Sequence, residues 1–203
     1  MFPYPEIIRF VSSNSQIKND KKGLALDVGT GSGVHIALLE NYGFNTIAID
    51  KSQAAINFAK THFASTKSSL ICDDLQNLHQ NIEDKRFNLV IDRLSSTHSS
   101  KKIVANIYQD PSLILKRGGK FLWSGFDDSN SHKKYAKIKH QDYYQDFSEG
   151  KFKDLYQACF FSEQEVIGVF KNYKITRFER ISSYDIINNT EDSHWLVEGV
   201  YIE

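Results

Sequence analysis

Apolar residues in this chain fall into short, nearly continuous runs, separated by stretches in which they recur every three or four positions. That alternation predicts strands buried on both faces and helices that lay one apolar stripe against them. The stretch 24–43 reads as a buried strand, a loop with glycines at 29, 31 and 33, and an amphipathic helix. A second run, 46–50, ends in Asp50, about twenty residues past the first glycine. Ser52 then caps a helix expected through about Phe63, with Ala54, Ala55, Phe58 and Ala59 at helical spacing. Runs at 69–74 and 87–92 predict a third and a fourth strand, each closing on acids. A fifth strand is predicted at 120–126, introduced by the turn Gly118-Gly119. Between these last two, a helical pattern over about 101–115 breaks at Asp110-Pro111, where Asp110 is expected to cap a restart.

At the N-terminus, residues 5–13 predict a short helix through Ile7, Ile8, Phe10 and Val11, followed by a polar lead over 12–22. Beyond 126 the pattern changes. Residues 127–160 are polar, basic and aromatic. Within them 132–144 reads first as a solvated surface helix, and second as a holder of an anionic or sugar-like substrate. Ser162 to Glu165 is a capping box that opens a helix to about Asn172. The runs 173–184 and 195–202 read as two long strands with no helix between them, which implies an antiparallel hairpin. The expectation is one α/β domain over 1–203, a doubly wound and mostly parallel sheet closed by that hairpin. Residues 1–22 are expected as an N-terminal helix or lid, and 127–160 as a substrate-covering insertion.

Charge narrows the partners. Lys and Arg together number 25, as do Asp and Glu, so the net charge is zero. That balance argues against nucleic acid or an anionic membrane as partner of the whole domain. Cys72 and Cys159 are too few for a disulfide scaffold or a zinc site, and Cys72, inside an apolar run, is expected as a small core residue. No run has the length of a membrane helix, and the N-terminus lacks the features of a signal peptide. A cytoplasmic setting is the resulting expectation; the oligomeric state is left open.

A strand, a glycine turn, a helix and a strand ending in an acid make a nucleoside-binding unit. The glycines let backbone approach a ligand where a Cβ would collide, and Asp50 is placed to hold a ribose diol. The dinucleotide fingerprint requires G-x-G-x-x-G or A, yet Val34 stands at the last small position. Asp27, just before the loop, would also repel a pyrophosphate. It would not repel a cation.

Asp27-Val-Gly29-Thr30-Gly31-Ser-Gly33 resembles the first motif of the class I S-adenosylmethionine-dependent methyltransferases. Other motifs follow in that family's order. Asp50 resembles the acid that binds the ribose hydroxyls. Asp74, followed by leucines at 75 and 78, resembles the residue that accepts from the adenine amino group, and that spacing favours it over Asp73. Residues 87–92 and 115–121 resemble the fourth-strand motif and the start of the fifth strand. The resemblance implies a Rossmann-like seven-stranded fold, S-adenosylmethionine as cofactor, and a cofactor site of Asp27, Gly29, Thr30, Gly31, Gly33, Asp50, Lys51, Asp74, Leu75 and Asp92. Two departures stand out. Arg117 occupies the place of a common proline, and the loop after the fourth strand lacks an Asn-Pro-Pro-Tyr motif. The second weighs against methylation of base nitrogens or glutamine amides.

The physical chemistry agrees with this cofactor. It has no phosphates, its carboxylate can use the N–H groups that open the first helix after the loop, and Asp27 complements its positive charges. Methyl transfer is an in-line displacement, so alignment and desolvation supply much of the rate and a modest base suffices. Residues 92–98 follow the fourth strand at the edge where open α/β sheets bind ligands. His98 is therefore a candidate general base for a hydroxyl, and Arg93 and His98 are candidates for substrate binding; the competing reading is a loop histidine without a role. Tyr4 is either a lid over the cofactor or part of a packed terminus. No G-x-S-x-G elbow supports a triad of Ser96, His98 and Asp92, the histidines lack metal-binding spacing, and no Walker loop is present. The expected activity is O-methylation of a small molecule. A non-catalytic S-adenosylmethionine-binding protein and an NAD-type oxidoreductase are the alternatives.

Overall fold

A computed structural model describes residues 2–15, 23–63 and 68–202. Residues 16–22 of the polar lead lie outside the described residues. Seven strands form one sheet in the order β3-β2-β1-β4-β5-β10-β9. These are β1 (Gly23–Val28), β2 (Phe44–Asp50), β3 (Ser69–Cys72), β4 (Phe87–Arg93), β5 (Leu115–Phe126), β9 (Lys174–Asp185) and β10 (Thr190–Val200). The first five pair in parallel, whereas β10 runs antiparallel to both β5 and β9. This is the Rossmann-like sheet with a terminal hairpin that the chain predicts.

Period-two alternation feeds a core on each face. Leu26 and Val28 of β1, Val90 of β4, and Phe121 and Trp123 of β5 join one core. Ala25, Leu89, Ile91 and Leu122 join the other, together with Ile7, Phe10 and Val11 of α1 (Pro5–Asn14). The remaining helices are α2 (Val34–Asn41), α3 (Gln53–His62), α4 (Leu78–Ile82), α5 (Lys101–Tyr108) and α6 (Glu163–Val169). Ser52 caps α3 by accepting from the Ala55 N–H, and Ser162 and Glu165 form the expected capping box on α6.

Three local expectations are corrected. The helix expected over 101–115 stops at Tyr108. Asp110 caps only a single 3-10 turn, Pro111–Leu113, and β5 begins at Leu115, well before the expected 120. Gly118 and Gly119 lie inside that strand, near a register shift against β4, and bond to Tyr201 at the end of the hairpin. Cys72 is exposed, because the outermost strand β3 leaves it at the sheet margin.

The third correction concerns 132–144, which is no helix. A 3-10 segment, Ser131–Tyr135, leads into a small antiparallel sheet of β6 (Ala136–Lys139), β7 (Tyr144–Phe147) and β8 (Gln157–Ala158). Strand pairing wins because the segment has its own apolar support: Phe126, Phe147, Phe152 and Phe160 form a separate aromatic core beneath it.

Candidate functional site

The glycine loop joins β1 to α2 at the carboxyl edge of the sheet. Gly29, Gly31 and Gly33 all have positive φ, of 67°, 53° and 80°. Their reasons differ. A Cβ on Gly29 would stand 1.4 Å from the Ser95 Oγ, and one on Gly33 would meet Ala59 and Phe63 of the next helix at about the limit of contact. Around Gly31 nothing lies within 4 Å, so backbone conformation alone demands glycine.

Asp27 braces this loop. Its carboxylate accepts from the Thr30 hydroxyl at 2.6 Å and faces the His35 Nδ1 at 3.2 Å, with 1% of the residue exposed. Asp27, Thr30, Gly31 and Gly33 therefore shape the site from behind and do not line its cavity. Asp50 completes the turn from the other side. One carboxylate oxygen accepts from the Gly31 N–H and the other from the Ser52 N–H, both at 2.8 Å.

Asp73 and Asp74 are separated by their partners. Asn77, Asn81 and the Asp74 N–H all donate to the Asp73 carboxylate, which holds its pKa below the usual range. Asp74 caps the following 3-10 turn by accepting from the Gln76 N–H and faces the cavity.

Beyond β4 the chain turns back under itself. Asp92 is fully buried and points away from the cleft: the Ser95 and Ser96 N–H groups and the Tyr108 hydroxyl all donate to it. Burial without a countercharge pushes its pKa up to about 6. The expectation that Asp92 binds cofactor is thus corrected; it holds up the loop that carries His98. Arg93 does reach the cleft, but its Nε donates to Glu6 at 2.9 Å and its guanidinium stacks 3.2 Å from the Tyr4 ring centroid. Tyr4 is in this way tied to the sheet.

Two chambers meet at Gly29, Asp50, Ser95, His98 and Leu155. The smaller, about 380 Å³, adds Lys51, Asp74 and Leu75, so five of the expected cofactor residues share one wall. The larger, about 660 Å³, adds Tyr4, Arg93, Phe126, Lys151, Phe152 and His194 among others. His98 lies at the junction. Burial, helped by Lys51 and opposed by a backbone hydrogen bond at Gln157, holds its imidazole below the usual range; its Nδ1 is buried without a hydrogen-bond partner among the described residues. A neutral imidazole lining the cleft can accept a proton.

Sequence reasoning missed Ser95, Ser99, residues 154–157 and His194. Ser95 sits within the 92–98 loop, yet only its closeness to Gly29 reveals its part. Residues 154–157 arrive from the insertion, on the approach to β8. His194 stands in a buried strand between Ser193 and Trp195, with no local signal of a site.

The sheet order, the glycine turn and the acids after β2 and β3 make a Rossmann-like nucleoside-binding architecture closed by a hairpin. Residues 25–119 match the model of a family described as a methyltransferase domain. No curated protein matches the sequence. Among solved structures, an S-adenosylmethionine-dependent methyltransferase from Methanosarcina mazei is 18% identical and superposes with a TM-score of 0.71, covering 100% of this chain and 99% of that one. Another from Clostridium acetobutylicum is 20% identical with a TM-score of 0.65, covering 97% and 89%. Magnesium protoporphyrin IX methyltransferase from Synechocystis, with bound S-adenosylmethionine, is 13% identical with a TM-score of 0.64, covering 97% and 76%. These likenesses are of fold. The family match spans 25–119, just under half of the chain, and together these likenesses give the chain the fold of the S-adenosylmethionine-dependent methyltransferases. Among the described residues no helix is long and apolar enough to cross a membrane.

Proposed function

We propose that the protein O-methylates a small-molecule acceptor, with the whole chain 1–203 acting as one methyltransferase domain and 127–160 covering the acceptor. The observation that carries this reading is His98, a largely buried imidazole held below its usual pKa range where the two chambers meet. The smaller chamber fits the cofactor. Asp50 would hold the ribose hydroxyls and Asp74 the adenine amino group, beside the backbone of Gly29; all three line this chamber. S-adenosylmethionine supplies an activated methyl group there. His98 takes the proton of the acceptor hydroxyl, while Leu155, Phe126 and Phe152 keep water from the reacting oxygen.

A small acceptor is supported by the size of the larger chamber, about 660 Å³, and by the zero net charge, which offers nucleic acid no general attraction. One structural neighbour is named for magnesium protoporphyrin IX, itself a small molecule. Calorimetry with S-adenosylhomocysteine tests the cofactor half: Asp50→Ala and Asp74→Ala should each weaken binding about tenfold or more. Unchanged affinity in both variants would sink the assignment. For the acceptor half, transfer of labelled methyl to a panel of alcohols, phenols, thiols and amines should favour oxygen.

A further inference from the structure

The larger chamber has a chemistry of its own. Apolar walls at Leu94, Phe126 and Phe152 face three nitrogen-bearing side chains that the smaller chamber lacks: Arg93, Lys151 and His194. Resting on the methyltransferase reading, we propose that the acceptor is a hydroxy acid, its hydroxyl at His98 and its carboxylate held by Arg93, Lys151 and His194.

Three observations carry this. The Arg93 guanidinium is fixed in place by Glu6 and Tyr4, but only its Nε is spent on Glu6; its two terminal nitrogens donate to nothing among the described residues. A rigid fork with free N–H groups suits a carboxylate. Lys151 is half exposed at the rim, paired with Asp192. Asp192 already accepts from Asn130 at 2.9 Å, so it keeps a partner if Lys151 turns inward. His194 is partly buried on β10 opposite Phe126 and has no hydrogen-bond partner among the described residues.

The charges that bear on His194 are Arg93 from β4, Asp192 on its own strand, Glu6 from α1 and Lys151 from the insertion. Burial first, and Arg93 second, hold its imidazole below the usual range. A carboxylate placed among these groups favours the imidazolium, so binding takes up a proton near neutral pH. The carboxylates lining the chamber are Asp50, on the side shared with the cofactor, and Asp192, already engaged. The methyl donor is itself a sulfonium cation and adds to the positive sign.

The test is calorimetry on protein saturated with S-adenosylhomocysteine, using the three hydroxybenzoates and the matching hydroxybenzamides in buffers of different ionisation heat. At least one acid should bind about tenfold or more tighter than its amide, with proton uptake. Lys151→Met should remove most of that preference, and Lys151→Arg should restore it. Equal binding of acids and amides, or no binding by any acid, overturns the inference while S-adenosylhomocysteine binding leaves the cofactor reading standing. Failure to bind S-adenosylhomocysteine overturns that reading as well.

Discussion

His98 works, on this reading, because it is uncharged where charge would be useless. Burial places its pKa below the 6.5 of a free imidazole, so the basic form persists at and somewhat below neutral pH. The acid limb of kcat/KM for a phenolic or alcoholic acceptor should therefore lie below pH 6.5. His98→Gln should abolish that limb and slow transfer by about 10²- to 10⁴-fold. An unchanged pH–rate profile would remove it as the base. The glycines make a second residue-scale test, because their reasons differ. Gly29→Ala combines a collision with Ser95 and a positive φ, and should cost about 2–4 kcal/mol in urea denaturation. Gly31→Ala meets only the φ penalty and should cost about 1 kcal/mol.

Among the elements, α1 and the 93–99 loop carry the clearest consequences. The N-terminal segment reads in sequence as a helix or a lid, and the structure makes α1 part of a core. Phe10 is buried between α1 and the sheet, so Phe10→Ala should lower the unfolding free energy by about 3–5 kcal/mol; a detachable lid would show almost no change. Asp92 supports the loop that bears His98. Its folded pKa, about 6, is above the unfolded 3.8, so the native state holds this proton more tightly. Its contribution is then most favourable at low pH, declines as pH rises from 3.8 to about 6, and remains lower above that by about 3 kcal/mol. Asp92→Asn should flatten this segment of the stability–pH curve and match or exceed the parent at pH 8. S-adenosylhomocysteine affinity should not change, because the side chain does not face the cleft.

On the scale of the whole molecule, cofactor binding should show as global stabilisation. S-adenosylhomocysteine at about 100 times its Kd should raise the unfolding free energy by about 2.7 kcal/mol, seen as a higher Tm, whereas NAD should leave it unchanged. The sheet and the cofactor end of the site were legible because their signals are local. A buried strand must be apolar on both faces, a positive-φ turn requires glycines at 29, 31 and 33, and an acid closing a strand stands beside that turn in any doubly wound sheet. Asp50 was singled out by its distance from the glycines and Lys51, Asp74 and Leu75 by the resemblance, and all four line the smaller chamber. Asp92 was misplaced because a strand-end acid looks the same from the sequence whether it faces ligand or Tyr108. Residues 132–144 were misread because lysines and tyrosines do not reveal that Phe147, Phe152 and Phe160 will build a core with Phe126. The acceptor chamber was hidden for the same reason. Tyr4, Arg93, Lys151 and His194 come from four distant segments, and only packing brings them together. The chain by itself determined the nucleoside-binding turn and the acids beside it, through short-range backbone geometry; the tertiary structure decided what meets His98, because that wall is made of long-range contacts.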